Sequence, residues 1–278
     1  MLTTLCSELY ERGHRNIWIR CNHTVLFKSN PHIKLVLAPG TLLSVPLLKL
    51  FKVKTAHPVY TQYQPATDRD IIPEKHIVLK MADQVGLKGA IKNKPVFILD
   101  KVEEAKGEIV PNQVVIISSA MAAAFPMRNK EWITERYQDL VNKLNVTYNF
   151  IQLGSASDTP LENVLDMRGK TTIRETAAIL KKSKLLVSHV GFMMHLARAV
   201  DCRAVIIYGG REMPEQSGYG CFHNIYSPVA CSPCWLHNRC DFDHRCMTMI
   251  NTEVVKNAID EQMKLTGEPL PVDILYND

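Results

Sequence analysis

The chain has 278 residues, 46% of them hydrophobic and 22% charged, with a formal net charge of +5. That length suits one large domain or two medium ones, and charges of both signs spread along the chain exclude a disordered polyampholyte. The sequence has no apolar run long enough to span a membrane and no basic stretch interleaved with aromatics to support nucleic-acid binding. The surplus of positive charge suits acidic partners such as nucleotides, phosphates or an anionic lipid surface. The N-terminus, MLTTLCSELYERGHRN, lacks a basic segment followed by an apolar core, so a cytoplasmic protein is expected.

In chain order, a helix is expected over 2–11, ending at Gly13, then strands over 16–21 and 33–37. An apolar helix follows at 41–51, weakened by Pro46. Residues 58–73 are polar without a clear period and read as loop. A helix over 74–85 is closed by Gly86, and PVFIL (95–99) reads as a strand. Residues 100–111 are charged, contain Gly107 and read as a linker.

Beyond the linker the alternation sharpens. Strands are expected at 114–118, 148–153, 185–188 and 204–208, and helices at 130–144, 173–182, 193–200 and 252–264. Short, fully apolar, β-branched strands alternating with helices imply a parallel sheet covered on both faces. The expected class is therefore α/β, with two Rossmann-like domains bounded at 1–104 and 105–278. Ligands of such sheets bind beyond the carboxyl ends of the strands. A doubly wound domain opens on a strand, whereas this chain opens in a helix, so its first strand is expected before Met1.

Four local features carry chemistry. Gly191 follows the 185–188 strand and Gly209-Gly210 follows the 204–208 strand. A glycine turn at a helix N-terminus offers free N–H groups and the positive end of a dipole to a diphosphate, although strand ends also carry glycine merely to turn. His195, near the start of the helix after Gly191, is either a packed core histidine or a ligand-facing one. Lys130 is either a solvated lysine at a helix start or a point charge for phosphate. The spacing C-x2-C-x5-C-x5-C (Cys231, Cys234, Cys240, Cys246) is compatible with a structural zinc or with reduced thiols packed in a loop, and His237 and His244 lie within it. Neither a G-x-S-x-G elbow nor H-E-x-x-H is present, so hydrolase chemistry has no support.

RNKEW (128–132), DMRGKTTIRETAAILKKSKLLVSHVGFMMHLARAV (166–200), AVIIYGGREMPEQSGY (204–219) and CSPCWLHNRCDFDHRCM (231–247) resemble, in this order, segments of the heptosyltransferase family, the ninth family of glycosyltransferases. The resemblance covers about 114–259. It implies the GT-B fold, with a nucleotide-diphosphate sugar held between two Rossmann-like domains. It further implies inverting, metal-independent transfer of heptose or a related sugar to a lipopolysaccharide or other glycan acceptor, lipid-linked or not, by a cytoplasmic enzyme, peripheral at the inner membrane face. By the same resemblance Lys130 is the catalytic cation, and Asn129, Val190, Gly191, Met194, His195, Gly209, Gly210 and Arg211 bind the donor. Leu2-Thr3-Thr4 resembles the end of a family loop whose aspartate deprotonates the acceptor; here that aspartate would fall before Met1. The family carries an acid just before the glycine turn, where this sequence has Val190. Two alternatives stay open: a nucleotide-binding homologue with impaired catalysis, and a zinc-stabilised binding module.

Overall fold

The structure, a computed structural model, describes residues 1–41, 53–119, 121–123 and 125–278. Its centre is a six-stranded parallel sheet in the order β11-β10-β9-β6-β7-β8, built from β6 (Gln113–Ile116), β7 (Asn149–Gln152), β8 (Leu165–Asp166), β9 (Leu185–His189), β10 (Ala204–Gly209) and β11 (His223–Tyr226). The chain enters at β6, winds outward through β7 and β8, then returns to the other side of β6 for β9, β10 and β11. This is the doubly wound order, and the reversal falls between β6 and β9.

Alternation along each strand divides the core into two layers. Val115, Ile117, Leu186, Ile206 and Tyr208 face α5 (Ile173–Lys182) and α6 (Phe192–Ala199). Val114, Ile116, Leu185, Val187, Val205 and Ile207 face α4 (Thr134–Leu144) and α9 (Thr252–Lys264). Helix α5 occupies the residues expected of it because a capping box brackets its start: Thr172 accepts from the Glu175 amide, and Glu175 accepts from the Thr172 amide. Lys181 and Lys182 fall in the last turn, where cations suit the dipole.

The first half is smaller among the described residues. Helix α1 (Leu2–Glu11) and α2 (Ile77–Gln84) pack around Leu5, Val78, Met81 and Ile91. Strands β1 (Trp18–Arg20) and β2 (Leu35–Leu37) form a parallel pair. Strand β5 (Gly89–Lys92) pairs antiparallel with β12 (Ile274–Asn277), which brings the end of the chain back to its first half. The helix expected over 41–51 lies outside the described residues apart from Thr41.

Three expectations are corrected. The 100–111 stretch is not a structureless linker: it holds α3 (Lys101–Ala105), started by a capping box from Asp100 and Glu103. Three of its charges, Asp100, Glu103 and Glu104, are the cap and the first-turn acids. Residues 95–99 form no strand; Phe97 and Leu99 are buried in the sheet's core, so the apolar run reports packing, not a ladder. Within 58–73 lies a hairpin, β3 (Tyr63–Gln64) with β4 (Arg69–Asp70). It lies against the cysteine-rich loop: the Asp70 amide donates to the Trp235 carbonyl at 3.0 Å, and the His237 amide to the Asp68 carbonyl at 2.9 Å. Arg174 of α5 adds a second tie between the halves, through Glu103 and the carbonyl of Ile98. No described helix is long and apolar enough to cross a membrane.

Candidate functional site

The carboxyl ends of β6, β7, β9 and β10 open on one cavity of about 570 Å³. From β6 come Ile117 and Ser119; after β7 come Gly154, Ser155 and Asp158. Strand β9 and the turn beyond it supply His189, Val190 and Gly191, and Arg211 and Glu212 follow β10. The site therefore straddles the reversal of strand order, where such sheets hold ligands. Asp70, Tyr60 and Ile77 close it from the first half.

The cavity wall carries a buried network of charges. Lys130 Nζ lies 3.0 Å from Glu212 Oε1. Arg211 Nη1 donates to the same carboxylate at 2.8 Å, and its Nη2 to Asp70 Oδ2 at 2.6 Å. Ser217 donates to Glu212 Oε2 at 2.7 Å, and His237 Nε2 stands 2.8 Å from Asp70 Oδ2. Burial alone would raise the Glu212 pKa, but Lys130 and Arg211 outweigh it and hold the group below the usual carboxylate range. Burial lowers the Lys130 pKa against the opposing pull of Glu212. Two cations and two carboxylates balance, which makes their burial tolerable.

Lys130 sits at the end of a single 3-10 turn, Arg128–Lys130. The expected helix over 130–144 starts only at Thr134 because the backbone at Glu131 is extended. Trp132 anchors the segment: it is buried, donates from Nε1 to the Ile250 carbonyl at 2.8 Å and meets Tyr137 edge-on. This anchor lets a flexible lysine be presented at a set place.

His195 is half-buried on α6 and lines the cavity. Its Nδ1 is 2.8 Å from the Tyr219 hydroxyl, and burial chiefly drives its pKa well below the ordinary histidine value. The imidazole is therefore neutral at pH 7. His189 is likewise pushed down to about 4, by burial and then by Lys130. Gly191 has extended backbone at φ 163°, and a Cβ there would meet His189 only at 3.8 Å. Its missing side chain leaves room in the cavity and is not required by its own conformation.

The other expected donor residues are dispersed. Met194 is fully buried, its sulfur accepting from the Tyr208 hydroxyl at 3.2 Å. Gly209 backs on Met247. Gly210 and Asn129 line a different cavity, and Asn129 binds the Arg239 carbonyl and His244. Arg211 reaches the main cavity, but its guanidinium is spent on Asp70, Glu212 and the Leu236 carbonyl. Asp158, Glu212, His189 and Asp70 were not among the expected residues. The rule that ligands sit beyond the strand ends would have found the first three; Asp70 is brought in by the hairpin and carries no local signal.

The different cavity, about 100 Å³, is lined by Cys231, Cys234, Cys240 and Cys246 with Asn129 and His244. All four cysteines are free thiols, and burial raises the pKa of Cys234 and Cys246. Four soft donors on one wall suit a thiolate-bound metal. Among the described residues, however, no three His, Cys, Asp or Glu side chains are arranged to hold one.

Residues 97–240, just over half the chain, match the family model described as "Glycosyltransferase family 9 (heptosyltransferase)". Three solved structures share the fold. A glycosyl transferase family 9 protein from Veillonella parvula is 14% identical, with 95% of this chain and 93% of that one covered at a TM-score of 0.68. The iron-containing dodecameric glycosyltransferase TibC from enterotoxigenic E. coli is 12% identical, with 95% and 73% covered at 0.69. The E. coli ADP-heptose LPS heptosyltransferase II is 14% identical, with 94% of each chain covered at 0.63. No curated protein matches the sequence.

Proposed function

The chain belongs to glycosyltransferase family 9, the heptosyltransferases, and from that premise we propose that it transfers a heptose or related sugar from a nucleotide-diphosphate donor to a hydroxyl acceptor. The observation that carries this reading is the cavity at the strand-order reversal with Lys130 on its wall. A similar fold belongs to an enzyme named for ADP-heptose, which makes ADP-heptose the first donor to try.

In the proposed reaction the diphosphate lies across the N-terminus of α6, where Gly191 and Phe192 line the cavity and a helix start suits an anion. The Lys130 ammonium has three N–H donors and gives one to Glu212, so two stay available to phosphate oxygens. If the Tyr219 hydroxyl donates to His195 Nδ1, the tautomer is set with the proton on Nε2, a further neutral donor to phosphate. The acceptor oxygen attacks the anomeric carbon from the face opposite the diphosphate. A new C–O bond forms as the bond to the distal phosphate breaks, and the electron pair leaves on the nucleoside diphosphate, stabilised by Lys130. The acceptor's proton passes to a carboxylate. Asp70 is placed for it: Oδ2 accepts from Arg211 Nη2 and lies 2.8 Å from His237 Nε2, while Oδ1 has no hydrogen-bond partner among the described residues.

This chemistry needs no metal at the reacting centre. A metal bound by the four cysteines would pin the loop behind Arg211 and leave the transfer to the residues above; metal analysis of protein purified without added metal reads its presence directly.

Calorimetric titration with ADP-, GDP- and UDP-linked sugars tests the reading. One of them is expected to bind, and Lys130→Ala is expected to weaken that binding by about 1–3 kcal/mol. Binding by none of the panel overturns the transferase reading, and an unchanged affinity removes Lys130 from the donor site. Nucleotide binding without product, with every acceptor class tried, would favour a homologue that has lost transfer. Val190, buried and apolar where the family carries an acid, is the observation on that side.

A further inference from the structure

Glu212 touches Lys130 and is itself held by two further groups. Its Oε1 lies 3.0 Å from Lys130 Nζ and accepts from Arg211 Nη1 at 2.8 Å, and its Oε2 accepts from Ser217 Oγ at 2.7 Å. Arg211 in turn is fixed by Asp70, by the Leu236 carbonyl and by the Trp235 ring, 5.0 Å from its guanidinium. We propose that Glu212 is a positioning residue for the transfer: it holds the Lys130 ammonium charged and in one place on the wall of the donor cavity. This rests on the transferase reading and adds to it the residue on which Lys130 depends.

The lysine needs such a partner. Its side chain is 14% exposed, and an ammonium taken out of water tends to shed its proton. The charged and titratable groups that face it come from four places: Arg211 and Glu212 beyond β10, Asp70 of β4, His189 of β9 and His195 of α6. Tyr60 and Asp158 stand elsewhere on the same wall. His189 and His195 are neutral at pH 7, held so chiefly by burial. Burial lowers the Lys130 pKa, Glu212 opposes it most strongly, and Arg211 adds to the lowering; Asp70 helps least. Without the Glu212 charge the lysine would keep its desolvation and its cationic neighbour and lose its nearest counter-charge. A neutral amine there gives a departing diphosphate little electrostatic support.

The same contact decides where the ammonium stands. A lysine ends a flexible four-carbon stem, whereas the Glu212 carboxylate is fixed by Arg211 and Ser217. It draws one N–H of Lys130 and leaves two for phosphate oxygens. By itself a carboxylate on the donor wall would repel a diphosphate. Its place there is explained by the cation it holds, so Glu212 acts through Lys130 and not on the sugar.

The test uses the whole chain and its Glu212→Gln and Glu212→Asp variants. The first measurement needs no donor. Acetic anhydride acetylates the neutral amine of a lysine, and mass spectrometry of the Lys130 peptide follows labelling from pH 6 to pH 10. In Glu212→Gln the labelling midpoint is expected about one pH unit or more below that of the unsubstituted chain. Glu212→Asp, which keeps the charge, is expected to restore the original profile. The second measurement is calorimetric, with ADP, GDP and UDP as probes. For the one that binds best, the affinity of the unsubstituted chain is expected to be nearly level between pH 7.5 and pH 9, and that of Glu212→Gln to fall about fivefold or more. A residue that merely braced the loop through Arg211 and Ser217 would weaken binding by the same factor at both pH values and leave the labelling profile alone; either result overturns the proposal. If Glu212→Gln does not fold, Glu212→Asp decides. Its carboxylate stands one CH2 further back, so nucleotide binding weakened about tenfold is expected, and undiminished binding overturns the proposal. Failure of the donor reading shows separately, as absence of nucleotide binding by the unsubstituted chain, and the labelling profiles then still decide the role of Glu212.

Discussion

Gly191 and Gly209 look alike in the sequence, each closing a strand, yet their substitutions should separate cleanly. Gly209 has φ 61°, and an added Cβ would stand 2.7 Å from the Met247 sulfur. Gly209→Ala is expected to cost roughly 1–3 kcal/mol of stability, measured by urea denaturation. Gly191→Ala should stay within about 0.5 kcal/mol, because its backbone is extended and the space is open, while weakening donor binding by narrowing the cavity. His189 supplies a pH signature at the same scale. Its folded pKa, about 4, lies below the ordinary histidine value, so between these limits the unfolded chain binds a proton that the folded chain refuses. Stability should therefore fall as pH drops through this window and level off below it, by up to about 3 kcal/mol from this residue. His195 and His76, also lowered mainly by burial, act in the same direction. In His189→Gln the stability difference between pH 7 and pH 4.5 is expected to shrink; an unchanged difference would show that His189 is not held neutral.

Among elements, the best-read ones carry their own boundary signals. Helices α5 and α9 match their expected spans, and both have side-chain caps: Thr172 accepts from the Glu175 amide, and Asn251 from the Val254 amide. Thr172→Ala is expected to destabilise the chain by about 1 kcal/mol, visible as a lowered denaturation midpoint. The 100–111 stretch had the same kind of signal, Asp100 with Glu103 three residues on, but its charge density masked it. Strands β8, β11 and β12 were missed because two to four residues of mixed polarity have no period of their own and pair only where neighbours offer an edge. The hairpin within 58–73 is the same case, defined by the cysteine-rich loop it lies against.

At the scale of the whole molecule, the return of β12 to β5 joins the last residues to the first half. Asn277 secures it: buried, it donates to the Leu87 carbonyl at 2.6 Å and to Asp83 at 3.0 Å, and accepts from Lys75 at 2.6 Å. Asn277→Ala is expected to cost about 1–3 kcal/mol and to speed proteolysis within 77–92; equal cleavage rates would show that the strand does not secure that region. The doubly wound half, its strand and helix alternation and the strand ends on which the main cavity opens were legible from period and order alone, because both faces of a parallel sheet must be apolar. Lys130, Gly191 and His195 were legible by resemblance, and they do line one cavity. Asn129 and Met194 stood beside Lys130 and His195 in the chain but face elsewhere, since neighbouring residues on a helical turn are rotated by about 100°, and Gly209 stands against Met247. What only the tertiary structure decided is the partnership across the halves. Asp70 meets Arg211 across 141 residues of chain, and Tyr60 shares the wall of one cavity with Lys130 and His195. Such meetings depend on how two separately patterned halves are packed together, and no local period or cap encodes that.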